Sequence, residues 1–253
     1  PMAAVIARSF TRLEAERGQR GIVQTGFTLD YYRELTVNPS GSIFYVSPTR
    51  AAVNSLLFAA VTVCISVVFG SMAAYALNRN AGLHRLMDLA IMLPLGTSAV
   101  TLGLGFIVTF NHPPLDVQSF PLLIPIAHSL VAMPFVVRTV QPALASIPAS
   151  YRQAASVLGA TPWQIWKRVE VPIISRSALV GAIFSFTISL GEFGATSFLA
   201  RPDLPTLPVA IFRYLSQPGA MNYGQAMAMS TLLLAVCGLS IALLERVESN
   251  QRG

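Results

Sequence analysis

The chain has 253 residues, of which 53% are hydrophobic and only 11% charged, with a mean hydropathy of +0.59. A soluble globule of this length needs more polar surface, so the composition describes a polytopic membrane protein. The net charge of +6 would suit nucleic acid, but the basic residues are scattered between apolar runs instead of gathered on one face. That pattern excludes nucleic acid as a partner and fits loops retained on the cytoplasmic side of a lipid bilayer.

The first residues, Pro1-Met2-Ala3-Ala4-Val5-Ile6-Ala7, are apolar but too short to cross a membrane. They read as the tail of a helix that begins upstream, not as a signal peptide, since no positive region precedes them and no cleavage pattern follows. Residues 8–50 are polar and turn-rich, with Arg8, Arg12, Arg17, Arg20 and the cluster Asn38-Pro39-Ser40-Gly41. A short amphipathic helix fits over 29–35. The domain expectation is a truncated helix tail and external segment over 1–50, a membrane domain over 51–246 and a cytoplasmic tail over 247–253.

No charge stands between Arg50 and Arg79, a stretch longer than the roughly 20 residues an apolar helix needs to span a bilayer. This is the first full span. The second lies over 89–110, with Pro94 and several glycines that neighbouring helices can accommodate. A third covers 117–137 and contains His128 and Pro134, a fourth covers 177–200 and is interrupted only by Glu192, and a fifth covers 226–244. The expected fold is therefore all-α, a bundle of about five complete transmembrane helices plus the tail of a sixth. Cys64 and Cys237 fall within apolar runs and have no partner at metal spacing, so both read as small core residues. Glycines in Gly70-Ser71-Met72-Ala73-Ala74 and Gly191-Glu192-Phe193-Gly194 would let helix backbones approach closely.

Between the third and fourth spans lies a polar island, residues 147–172. Pro148 and Ser150 start a short helix that carries Ala154, Ala155, Val157 and Leu158 at helical spacing. Gly159 suits a left-handed turn, and Thr161-Pro162 reads as an N-cap with proline at the first helical position. The second short helix carries Trp163, Ile165, Trp166 and Val169 with Lys167 and Arg168, and Pro172 is expected to end it. On these residues alone the island is a helix-turn-helix at a membrane face, with aromatic and basic anchors at headgroup level.

Its spacing carries more. Gln153-Ala154-Ala155, three residues, Gly159, nine residues, then Val169-Glu170-Val171-Pro172 resembles the "EAA" loop of bacterial ABC-importer permeases, written E-A-A-x3-G-x9-I-x-L-P. Gly159, Ala154, Ala155 and Pro172 match in place, Val169 and Val171 substitute conservatively, and Gln153 replaces the acidic first position. The resemblance runs from about residue 27 to 246 and includes Asn54-Ser55 and Ala74-Tyr75-Ala76-Leu77. It implies a permease moved by alternating access, with the loop as a cytoplasmic coupling helix docked on a pair of ABC ATPase subunits. A periplasmic or lipid-anchored solute-binding protein would deliver the substrate, and a second permease half, fused or homologous, would complete the pathway. Gln153, Ala154, Ala155, Gly159, Trp163, Trp166, Lys167, Arg168 and Pro172 would be the ATPase-coupling residues.

The arginines order the topology. Arg79 and Arg85 lie between the first two spans, and no Lys or Arg lies between Phe110 and Leu122, so the first short loop is inside and the next outside. Alternation then sets Arg138, Arg152, Lys167, Arg168 and Arg176 inside, the loop from Arg201 to Arg213 outside, and Arg246 and Arg252 inside. Ser156 should be reachable from the cytoplasm and Gln118 from outside. Segment 8–50 falls outside despite its basic residues, as long loops can.

No enzyme chemistry stands out. The single lysine, Lys167, follows Trp166 and not glycine, so there is no phosphate-binding P-loop, and His84, His112 and His128 never stand at the spacing of a helical zinc motif. Gly103-Leu104-Gly105 lies inside an apolar span and suits helix packing. No cofactor is called for in this chain. Two function classes remain: a transport subunit, and a membrane enzyme or adaptor whose cytoplasmic hairpin binds another partner. Ser189-Leu190-Gly191-Glu192-Phe193-Gly194 with Thr206-Leu207-Pro208 resembles the permease branch for thiamine or ferric iron, often fused doubles; related branches move phosphonates, sulfate or molybdate. Glu192, sixteen residues from Arg176, would sit roughly 24 Å along its helix. There it could cap a local break or line the translocation pathway near its outer end.

Overall fold

The computed structural model describes residues 1–12, 26–36, 47–79, 84–112, 115–116, 120–201 and 203–249. The turn cluster Asn38-Pro39-Ser40-Gly41, Gln118 and Arg252 lie outside the described residues. The first helix, α1 (Met2–Ser9), is followed by the short α2 (Asp30–Arg33), which runs into a 3₁₀ turn, Glu34–Thr36. Side chains join α1 to α2: Tyr32 Oη donates to Ser9 Oγ at 2.8 Å, and Phe10 stacks on both Phe27 and Tyr32.

The uncharged run after Arg50 forms α3 (Pro48–Arg79) without interruption. The stretch expected as the second span, 89–110, is broken into α4 (His84–Gly96) and α5 (Ala99–Phe110), which meet at 102°. Pro94 has no N–H to donate and its ring crowds the preceding turn. Helix is lost at Thr97, whose amide and hydroxyl both return to the Pro94 carbonyl, at 3.4 and 2.9 Å. A two-residue antiparallel pairing, β1 (Asn111–His112) with β2 (Leu115–Asp116), follows and leaves the architecture helical.

α6 (Leu123–Ala145) continues past the expected limit at Val137. Val140, Leu144 and Ile147 extend its buried stripe, and Arg138 meets its charge at the rim, Nη2 lying 3.3 Å from Asp88 Oδ2 of α4. Two short helices, α7 (Ala149–Val157) and α8 (Pro162–Ile165), build the polar island, and α9 (Val171–Gly191) is the next crossing. Pro172 does not end the helix as expected. Trp166–Glu170 wind as a π segment, and helix continues from Pro162 to Gly191. The wider turn draws the i−4 carbonyl off the proline ring and replaces the bond proline cannot donate. The second half of the island and the membrane helix are one rod.

After α9 come α10 (Thr196–Leu199), α11 (Leu207–Leu215) and the long α12 (Ala220–Ser249). Among the described residues, four helices are long and apolar enough to cross a membrane, or five if the bent α4–α5 pair is one span. α6 is the axis of the bundle: 61% of its apolar window is buried, against 22% for α3 and 33% for α12, whose outer faces are left for lipid or another subunit. A Cβ on Gly70 would stand 2.8 Å from Val136 Cβ, and one on Gly181 would stand 3.0 Å from Val136 Cα. Three backbones therefore cross at Val136, held close by the absence of side chains on α3 and α9. Gly194 packs likewise against Ala99, whereas Gly191 has nothing near it and supports no close approach. Cys64 is exposed and Cys237 half-buried, which corrects their expected core positions; a thiol is apolar enough to face lipid.

Two apolar clusters mark the ends of the bundle. One joins Ala74, Leu77, Val140, Leu144 and Ile174, with Met87 and Ile91 of α4 against it. The other joins Ile124, Ala127, Ala195 and Leu199, with Phe58 of α3 and Phe106 and Ile107 of α5 against it. The α4–α5 pair thus begins at one end and finishes at the other. That course is the one a single broken span takes, and the polar island begins at the end where Leu144 and Ile147 join the first cluster.

Candidate functional site

The island's shape follows from two local devices and one longer-range pair. α7 ends in a Schellman turn: Gly159 takes φ +81°, its amide bonds to the Ser156 carbonyl at 2.9 Å, and the Ala160 amide bonds to the Ala155 carbonyl at 3.0 Å. α8 begins with a reciprocal cap. Thr161 Oγ1 accepts from the Gln164 amide at 3.4 Å, and Gln164 Oε1 accepts from the Thr161 amide at 2.9 Å. Across the two helices, Arg152 Nε donates to Glu170 Oε1 at 2.6 Å, with Glu170 buried and Arg152 half-buried. The loop's ion pair is thus made by the residue before Gln153, which itself is exposed.

No residue of α7 is buried. Gln153, Ala154 and Gly159 are exposed and Ala155 is half-buried; Trp163, Trp166, Lys167, Arg168 and Pro172 are exposed. The Trp163 and Trp166 rings stack on each other, centroids 4.6 Å apart, so the pair presents one aromatic plate. Val157 and Leu158 are 88% and 87% exposed, although the sequence reading gave them only a place in the helix. An apolar pair directly before a left-handed glycine is the signal: a Schellman turn throws its last side chains outward at the tip. A rigid, apolar-tipped hairpin with a basic flank can receive a partner. It offers no nucleophile or general base in a cleft.

At the other end of the bundle, α9 breaks at Glu192, which is 8% exposed. Its Oε1 accepts the Ala195 amide at 3.0 Å, and its Oε2 accepts the Thr196 amide at 3.1 Å and the Thr196 hydroxyl at 2.9 Å. The carboxylate thereby caps α10. Since Thr196 Oγ1 gives its one proton to Glu192, it accepts from His128 Nε2, 2.7 Å away. His128 Nδ1 lies 2.8 Å from Ser189 Oγ, which donates to Thr62 Oγ1 at 3.2 Å. His128, 1% exposed, was not singled out by the sequence. The signal existed: His128 and Glu192 are ionisable groups inside separate apolar spans, and burial is tolerable when such groups pair. Here Nε2 and Oε2 are 3.4 Å apart.

A bundle of apolar helices long enough to cross a membrane, with an exposed hairpin between two of them, defines a multi-pass membrane protein. Residues 66–248 match the family described as binding-protein-dependent transport system inner membrane component, and the chain belongs to that family. It is 29% identical over 253 residues to PhnV of Salmonella typhimurium, a permease with a provisional 2-aminoethylphosphonate transport name, covering 98% of this chain and 88% of the relative. It is 33% identical over 206 residues to the sulfate transport system permease protein CysT of Escherichia coli, covering 77% of this chain and 74% of the relative. The fold is shared with a bacterial ABC transporter involved in the import of alginate, at a TM-score of 0.68 and 18% identity, over 100% of this chain and 88% of that one. The chain is a multi-pass inner-membrane permease component of an ABC importer. Its relatives are transport subunits, so the reading as a membrane enzyme is set aside.

Proposed function

We propose that residues 147–172 are the surface on which a pair of ATP-hydrolysing subunits dock, with Gln153, Ala154, Ala155, Gly159, Trp163, Trp166, Lys167, Arg168 and Pro172 at the contact, joined by Val157 and Leu158. The observation that carries this is the exposure of Val157 and Leu158 at the tip of a hairpin fixed by a left-handed turn, a cap box and an ion pair. Apolar side chains held rigidly in water are characteristic of an interface whose partner is absent. A second permease half, fused or separate, would cover outward faces of the bundle, and a binding protein would meet the opposite end.

For the solute, we favour a small oxyanion over thiamine or ferric iron. The support is that named relatives carry 2-aminoethylphosphonate and sulfate in their names, whereas the motif around Glu192 gives the only link to thiamine and iron. Glu192 serves the pathway in this reading by holding α10 in place, because its oxygens are already occupied and a carboxylate facing the solute would repel an anion. Calorimetry of the cognate binding protein with sulfate, 2-aminoethylphosphonate and thiamine distinguishes the solutes; thiamine binding without anion binding would reverse this choice. For docking, Leu158→Asp should abolish co-purification with the ATPase at unchanged permease yield. Retained co-purification would remove the loop from the interface.

A further inference from the structure

We infer that the Arg152–Glu170 pair is the strut through which a displacement of α7 enters the membrane helix α9; this rests on the docking role proposed for the loop. α7 has no buried residue and packs chiefly on α8, the first turn of the rod that continues into α9, so its apolar contact with that rod is thin and confined to the rod's tip. It hangs between Pro148, where the backbone is extended, and the left-handed turn at Gly159. Among the described residues its one ion pair is Arg152 Nε to Glu170 Oε1, 2.6 Å. Glu170 ends the π segment, inside the single rod that runs from Pro162 to Gly191.

A push on α7 by a docked partner therefore has a short, stiff route into the membrane. Arg152 lies one turn from the Pro148 pivot, where a tilt of α7 is converted into a small, directed shift. The charge pair carries that shift in tension as well as compression, which an apolar contact does not. Glu170 is buried and Arg152 half-buried, so the pair is shielded and directional where a surface pair would be loose. From Glu170 the rod reaches Ser189 about 28 Å further on, where Ser189 meets His128 and Thr62. The outer end of α9 thus moves with the loop.

The test uses the full complex of permease and ATPase subunits in proteoliposomes, with Cys64 and Cys237 replaced by alanine. A cysteine is placed at Ser197, which is exposed beyond the outer end of α9. Its reaction rate with a membrane-impermeant maleimide is compared without nucleotide and with ATP plus vanadate. Arg152→Gln and Glu170→Gln should each shrink that ATP-driven rate ratio about fivefold, the range expected for residues on a coupling route. Co-purification with the ATPase should persist, and the double variant should be no worse than the worse single one, because the two act as a unit. Unchanged ratios in both single variants, additive losses in the double variant, or no ATP-driven change in the parent protein would each overturn the strut. Loss of ATPase association in Arg152→Gln alone would overturn it too, making Arg152 a direct contact. Failure of the docking role is read separately, as retained association in Leu158→Asp.

Discussion

At one end of the molecule Val157 and Leu158 stand 88% and 87% exposed; at the other, His128 and Glu192 are buried and bonded to Ser189, Thr196 and the Ala195 amide. The loop end keeps its shape through a left-handed turn, a cap box and one ion pair, which leaves Val157 and Leu158 free for a partner. The outer end keeps its helix break in shape through His128, Ser189, Thr196 and Glu192 bonded to one another, and these side chains are buried. Where a chain must meet another protein it can fix its backbone and expose apolar groups. Where it must hold a helix break inside lipid it has to satisfy each polar group internally, since no water is there to do so.

The comparison is broken most sharply at His128. His128→Ala leaves Ser189, Thr196 and Glu192 with fewer partners in a buried site, and a loss of about 2–3 kcal/mol is expected from leaving buried polar groups unsatisfied. Thermal unfolding in detergent should show it, and an unchanged midpoint would mean the network does not hold this end together. Glu192→Gln keeps the shape and weakens bonds made to a charge, so about 1–2 kcal/mol should be lost. The solute concentration for half-maximal uptake should stay the same; a clear rise would show the carboxylate meeting the solute. At the loop, Gly159→Val has room, since nothing lies within 4 Å of a Cβ there, so its cost is backbone strain alone, about 1–2 kcal/mol. ATPase association should fall further than thermal stability does. Leu158→Ser should leave stability within about 0.5 kcal/mol while weakening association. A matching stability loss would place Leu158 in an internal contact and blur the distinction between the two ends.

The loop was the most legible part of the sequence because its devices are local. Gly159, Thr161-Pro162 and the spacing of Ala154 and Ala155 specify turn, cap and helix within a few residues. The membrane crossings were legible as apolar runs, and the break at Glu192 was one of two roles open to that residue, but the outcomes at the interior prolines were not legible. The chain bends at Thr97 and Ser98, just after α4 has passed through Pro94, while Pro172 is carried through by a π segment, and the same residue type gives no local sign of which outcome follows. Long-range pairs were the other blind spot. Arg152 with Glu170 and His128 with Glu192 are separated by 18 and 64 residues, and only packing of α6, α9 and the loop brings them together. Cys64 shows a further limit: hydrophobic periodicity in a membrane helix does not distinguish the face toward protein from the face toward lipid.

The most direct test of the loop as the docking surface is proximity in the assembled transporter. With Cys64 and Cys237 replaced by alanine, a photoactivatable cross-linker is attached to a cysteine at Leu158 or, as the control at the opposite end, at Gln217, which is exposed between α11 and α12. Cross-linking to the ATPase subunit from position 158 and none from position 217 is the predicted result; cross-linking from position 217 and none from 158 would contradict the account.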